Sequence, residues 1–216
     1  NPLPPIGGLL ITDGALKFLL IKENKKLVSV SLRLPPGIIV NGRIKDAKNL
    51  GAALKTFHNQ IQPLRKDIHV VVNLPSDIVY TQSFEIPFIA EDRIEESAKL
   101  NLQMISPIDF ETAYASSQRI GETFKEGGEI ELLGAFVEAA LVQEFSRILA
   151  QNNFRIAAIE FPALSLARIV SHEPDFNANE TYLFIEVMNE GITIGILKNL
   201  NLSTLQQVIL PCLLRL

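Results

Sequence analysis

Short, mainly apolar runs cover positions 9–11 and 16–22, the second carrying Lys17 and Lys22, and the break between them, Thr12-Asp13-Gly14, is a turn signal. The chain is therefore expected to open on a β-hairpin. Over 28–34, Val28, Val30, Leu32 and Leu34 alternate with Ser29, Ser31 and Arg33, which predicts a third strand buried on one face. After Pro35-Pro36-Gly37 and Asn41-Gly42, the residues Leu50, Leu54, Phe57 and Ile61 fall at helical spacing, with Asp46 placed to cap the helix. Residues 68–74 form a nearly continuous β-branched run closed by Pro75, the pattern of a strand covered on both faces.

From residue 80 the order reads strand 80–86, helix 90–105, strands 110–120 and 129–138, helix 140–152 and strand 155–161. Two βαβ units in succession predict a split βαβ, ferredoxin-like βαββαβ subdomain with Gly127-Gly128 between its halves. A helix over 162–171 leads through a polar linker, 175–180, to apolar strands 182–187 and 192–197. These meet at Asn189-Glu190-Gly191, so a second hairpin echoes the first.

Composition narrows the function classes. In 216 residues, 47% are hydrophobic and 20% charged, an ordinary globular balance. A net charge of -4 without basic blocks argues against nucleic acid as a partner. One cysteine, Cys212, leaves no intrachain disulfide, and His58, His69 and His172 stand too far apart in sequence for a metal motif, which fits a reducing cytoplasm. No apolar run reaches the roughly 18–20 residues of a membrane span, and residues 1–7 lack signal-peptide features, so any membrane association is expected to be indirect. The chain opens on Asn rather than Met and closes on an apolar stretch, from which a longer polypeptide is expected.

The two hairpins flanking a βαββαβ piece, in this order, resemble the actin/FtsA superfamily with the insertion found in PilM proteins of type IV pilus assembly. The wording of the loops agrees with it. Leu34-Pro35-Pro36-Gly37-Ile38-Ile39-Val40-Asn41-Gly42-Arg43-Ile44-Lys45-Asp46 resembles the family's proline and glycine stretch after the third strand. Val70-Val71-Val72-Asn73-Leu74-Pro75 is similar to its strand end. Phe84-Glu85-Ile86-Pro87, then Glu95-Glu96-Ser97-Ala98-Lys99 and Ile105-Ser106-Pro107-Ile108, are similar to its inserted piece. The resemblance covers roughly residues 8–205. It implies an α/β fold with an actin-like, ribonuclease H-like core in which 1–79 are the first part, 80–161 the insert, 162–176 a return helix and linker, and 177–216 the start of a second actin-like subdomain.

The superfamily holds ATP phosphates in two hairpin turns, where glycines admit the backbone and an aspartate on each strand handles Mg²⁺. The resemblance thus places a degenerate cofactor site at Thr12, Asp13, Gly14 and Lys17 in the first turn, and at Asn189, Glu190, Gly191 and Thr193 in the second. Aligning Lys17 with the motif lysine puts Leu10 where the aspartate belongs and Thr12 where the first glycine belongs. In the second turn Glu186 takes the aspartate position and Met188 the glycine position. Asp13 has two readings, a replacement carboxylate or a cap on its own backbone. Weak or absent ATP and Mg²⁺ binding, and no catalysis, are expected.

No other constellation points to chemistry. His69 reads as a core histidine, Cys212 as an inert thiol, and Glu95-Glu96 and Glu129/Glu131 as solvated faces. What the resemblance implies is a scaffold. PilM-like proteins work at the cytoplasmic face of the bacterial inner membrane with other pilus assembly proteins. They grip the N-terminal tail of the membrane protein PilN in a groove between core and insert. Phe84, Ile86 and Phe88 are candidate contacts, with a place in the core as the alternative. Two further readings stay open, an actin-like ATPase that polymerises and the cytoplasmic domain of a GspL-like type II secretion protein.

Overall fold

The computed structural model describes residues 4–22, 25–61, 67–122, 127–177, 180–188, 191–198 and 201–208. The chain opens with β1 (Ile6–Ile11), β2 (Ala15–Ile21), β3 (Leu27–Arg33), the short strands β4 (Ile39–Val40) and β5 (Arg43–Ile44), α1 (Ala47–Ile61) and β6 (Ile68–Asn73). Then come β7 (Tyr80–Pro87), α2 (Glu91–Ile105), β8 (Ala113–Glu122), β9 (Glu129–Glu138), α3 (Ala139–Gln151) and β10 (Phe154–Glu160). The last elements are α4 (Pro162–Ser171), β11 (Thr181–Met188), β12 (Gly191–Lys198) and β13 (Asn201–Val208).

Two compact units result, Asn1–Ile78 with Ala140–Pro162, and Val79–Ala139 with Ala163–Leu216. The first is built on a five-stranded sheet in the order β10-β6-β1-β2-β3. Strands β1, β2 and β3 are antiparallel, as the alternation predicted, whereas β6 lies parallel to β1 and β10 parallel to β6. Period-two alternation sends Leu9, Ile11, Leu16, Phe18, Val70 and Val72 to one buried face. Helix α1 buries Leu50, Leu54, Phe57 and His58, and α3 buries Leu141, Val142, Phe145, Ile148 and Leu149, each set at helical spacing. The ring of Phe57 stacks on Phe154 of β10 with centroids 6.4 Å apart, which ties α1 to the sheet.

Asp46 caps α1 as expected. Its Oδ1 accepts the Asn49 backbone N–H at 2.9 Å, a bond that holds this carboxyl below its ordinary value. The strand at 68–73 is wholly buried on one face and only half-buried on the other, so it is less enclosed than its nearly continuous β-branched run suggests.

The inserted piece is shorter than the sequence pattern implied. In the second unit a sheet in the order β7-β9-β8 is antiparallel throughout, and α2 lays Ala98 against Ile86, Ile130 and Leu132, with Phe84, Ile89 and Ile94 packed around them. The expected second βαβ half is absent from this layer. The strand at 154–160 instead pairs with β6, with Phe154 opposite Ile68 and Arg155 opposite His69, and Arg155 reaches Asp67 at 3.3 Å. The physical reason is burial. Phe154 is fully enclosed beside Phe57, and β6 carries an apolar run that needs a ladder on both edges. The boundary at 161 therefore moves back to the end of β9.

Two smaller differences concern ends. The strand expected from residue 110 starts at Ala113, because Phe110–Thr112 turn as a 3-10 helix whose Asp109 carboxylate accepts the Glu111 N–H at 3.1 Å. The second meander has a third strand, β13, which pairs antiparallel with β12 in the sheet β11-β12-β13.

Candidate functional site

The β1–β2 turn sits at the end of two strands whose last inward residues, Ile11 and Leu16, are buried. Burial of those ends fixes the turn in place, and its polar groups are then satisfied one by one. The Thr12 N–H donates to the Ala15 carbonyl at 2.9 Å, and the Thr12 hydroxyl accepts the Ala15 N–H at 3.1 Å. Thr12 is itself buried, and the Gly14 carbonyl accepts the Leu34 N–H at 2.8 Å. A phosphate approaching here would find the threonine side chain and a spent amide.

The Asp13 carboxylate is engaged far along the chain. Its Oδ2 accepts the Asn41 N–H at 2.7 Å and its Oδ1 the Gly42 N–H at 2.9 Å, so the carboxylate caps a second turn 28 residues away. That second turn joins β4 to β5 with Asn41 at φ 51° and Gly42 at φ 70°, the conformation that an Asn-Gly pair favours in a two-residue hairpin. Two adjacent amides of the β4–β5 turn thus converge on one internal anion, the Asp13 carboxylate. Leu10 stands opposite Lys17 across β1 and β2, and Lys17 projects from the exposed face of β2.

The β11–β12 hairpin turn belongs to the second unit. Thr193 is buried on β12 and faces Glu186 across the ladder, while Met188 pairs with Gly191 at its end. Asn189 and Glu190 lie outside the described residues. Among the described residues no cluster of His, Cys, Asp or Glu is arranged to hold a metal ion.

Of the partner candidates, Ile86 is buried in the α2 layer and Phe84 is half-buried against the same cluster. Phe88, one residue past β7, is 47% exposed while its N–H donates to the Gly128 carbonyl at 2.8 Å. Glu85 stands opposite Glu131 on neighbouring strands. A hydrogen bond with Glu85, together with its charge, pushes the Glu129 carboxyl up, so this face is more crowded than freely solvated carboxylates would be.

Sequence reasoning missed His58 and the pair Asn41-Gly42. The enclosed histidine is His58, its ring edge-on to Phe154 at 5.6 Å, whereas His69 is half-buried on β6. Helical spacing would have found His58, which stands four residues after Leu54 and eight after Leu50. Asn41-Gly42 was visible as punctuation, yet nothing local links it to Asp13.

No protein-family model and no curated protein sequence matches this chain. Solved structures do, and they define an actin-like fold. A chain of the PilM–PilN type IV pilus biogenesis complex superposes on 97% of this chain with a TM-score of 0.80 at 17% identity. The cytoplasmic domain of EpsL, an inner membrane component of the type II secretion system of Vibrio cholerae, matches 95% of this chain at a TM-score of 0.57 and 13% identity, over 71% of its own length. A Bacteroides thetaiotaomicron protein of actin-like ATPase fold and unknown function matches 95% of this chain at 0.51 and 11% identity, over 70% of its own. The chain spans 62% of the length of the pilus protein chain it matches.

Proposed function

We propose that this chain is a PilM-like scaffold of type IV pilus assembly, peripheral to the cytoplasmic face of the inner membrane. It binds the N-terminal tail of a PilN-like membrane protein and turns over no nucleotide. The observation that carries the reading is the likeness to the PilM–PilN complex over nearly the whole chain, taken with a first hairpin turn whose amide, hydroxyl and carboxylate are all engaged internally. No described helix is long and apolar enough to cross a membrane, which is compatible with a partner that supplies the anchor.

The test is retention of the intact protein on an immobilised N-terminal peptide of the neighbouring membrane protein. Micromolar retention is expected, and Phe88→Ala, at the accessible candidate contact, should weaken it by about tenfold, the usual scale for losing one aromatic anchor. No retention at high micromolar peptide contradicts the adaptor reading. A second reading, a GspL-like secretion component, draws support from the EpsL likeness, and the same assay with that system's partner separates the two.

A further inference from the structure

One face of β1–β3 in the first unit has a composition that the scaffold reading leaves unused. Cross-strand register puts Leu19 opposite Gly8 and Ser29, Lys17 opposite Leu10 and Ser31, Ala15 opposite Arg33, and Ile21 opposite Leu27. These side chains share the face turned away from buried Leu16 and Phe18, and Ile6, two residues before Gly8, joins them. Four aliphatic members are open to solvent, with Ile6 at 51%, Leu19 at 46%, Ile21 at 66% and Leu27 at 57% exposure, while Leu10 and Ala15 are half-buried. No acidic residue projects from this face of the three strands.

The hairpin end beside them is basic. Lys22, Lys25 and Lys26 are exposed, and the tip is closed by bonds from the Lys22 N–H to the Lys26 carbonyl at 2.9 Å and from the Lys25 N–H to the Lys22 carbonyl at 2.8 Å. Between Ile21 and Leu27 the sequence holds three lysines against one glutamate, although the chain as a whole carries -4. The last cross-strand pair before this basic end is Ile21 with Leu27, the two most exposed aliphatics of the group.

We propose that the β2–β3 end of the first unit rests on an anionic lipid bilayer, with Ile21 and Leu27 entering the headgroup region and Lys22, Lys25 and Lys26 meeting lipid charge. Two weak signals side by side, an apolar wedge and a basic cluster, are what reversible membrane contact requires. Lysine suits that role. Its stem lies along apolar surface and its ammonium reaches a diffuse negative field without needing a fixed partner geometry. An acidic protein would use the lysines but leave the aliphatic group wet, so the bilayer accounts for more of the face. This contact is independent of the peptide-binding reading and adds a direct attachment to an indirect one.

The test is flotation of the intact protein with vesicles of phosphatidylglycerol in phosphatidylcholine, and with phosphatidylcholine alone. Binding to the anionic vesicles is expected to exceed binding to neutral ones by at least tenfold, since each lysine near such a surface contributes about fivefold. It should fall away at about 0.5 M salt, where screening is nearly complete. Lys22→Glu with Lys26→Glu should reduce it at least twentyfold, and Ile21→Ser with Leu27→Ser about tenfold at low salt. Both pairs are exposed, and each variant should keep the wild-type melting temperature and peptide retention. Equal flotation with neutral vesicles, no flotation at all, or capture of polyglutamate without vesicle binding would each overturn the proposal.

Discussion

Phe154→Ala is expected to destabilise the first unit by about 3–5 kcal/mol, the range for deleting a fully enclosed aromatic side chain. Phe154 has no exposed surface, stacks with Phe57 and meets the edge of His58, so the cavity opens between β10 and the end of α1. Few neighbours can collapse into that space, because Phe57 is held by its own helix. The measurement is native-state hydrogen exchange alongside urea unfolding. Amides of β6 and α1 should lose protection together, while those of β7 and β9 keep theirs. Loss confined to β7–β9 would mean that β10 belongs with the inserted piece after all.

Gly42→Ala should cost about 2–4 kcal/mol, combining a left-handed conformation that alanine resists with overpacking. A Cβ built on Gly42 would stand 2.7 Å from Cγ2 of Ile78 and 3.1 Å from Cβ of Pro75, and neither a β-branched side chain nor a proline ring yields easily. Any backbone shift that relieves these contacts also moves the Gly42 N–H off Asp13. Thermal melting of the intact protein reads the effect. A loss under about 0.5 kcal/mol, the scale of an ordinary surface substitution, would show that the β4–β5 turn is not clamped as described.

These two positions mark where the sequence was informative and where it was not. The three opening strands, α1 with its Asp46 cap, α2 and the second hairpin were legible because each rests on local periodicity or capping. The partner of the strand at 154–160 was not legible. A βαβ pattern says that a strand follows a helix, and two sheets were available to receive it. The apolar run of β6 held the clue, since a strand so continuously apolar seeks neighbours on both edges. At the site, the substitutions at Leu10, Thr12 and Met188 could be read directly. The capture of Asp13 by Asn41 and Gly42 could not, because it depends on two turns brought together by the packing of the strands and loops that carry them.

We propose that an actin-like fold is kept here for binding, and the groups of the β1–β2 turn are taken up by internal hydrogen bonds. Titration of the intact protein with MgATP in a calorimeter tests it most directly. The account predicts no saturable heat up to millimolar nucleotide, because Leu10 supplies no carboxylate and the Thr12 and Asp13 groups are already engaged. A saturating isotherm with micromolar or tighter affinity would contradict it.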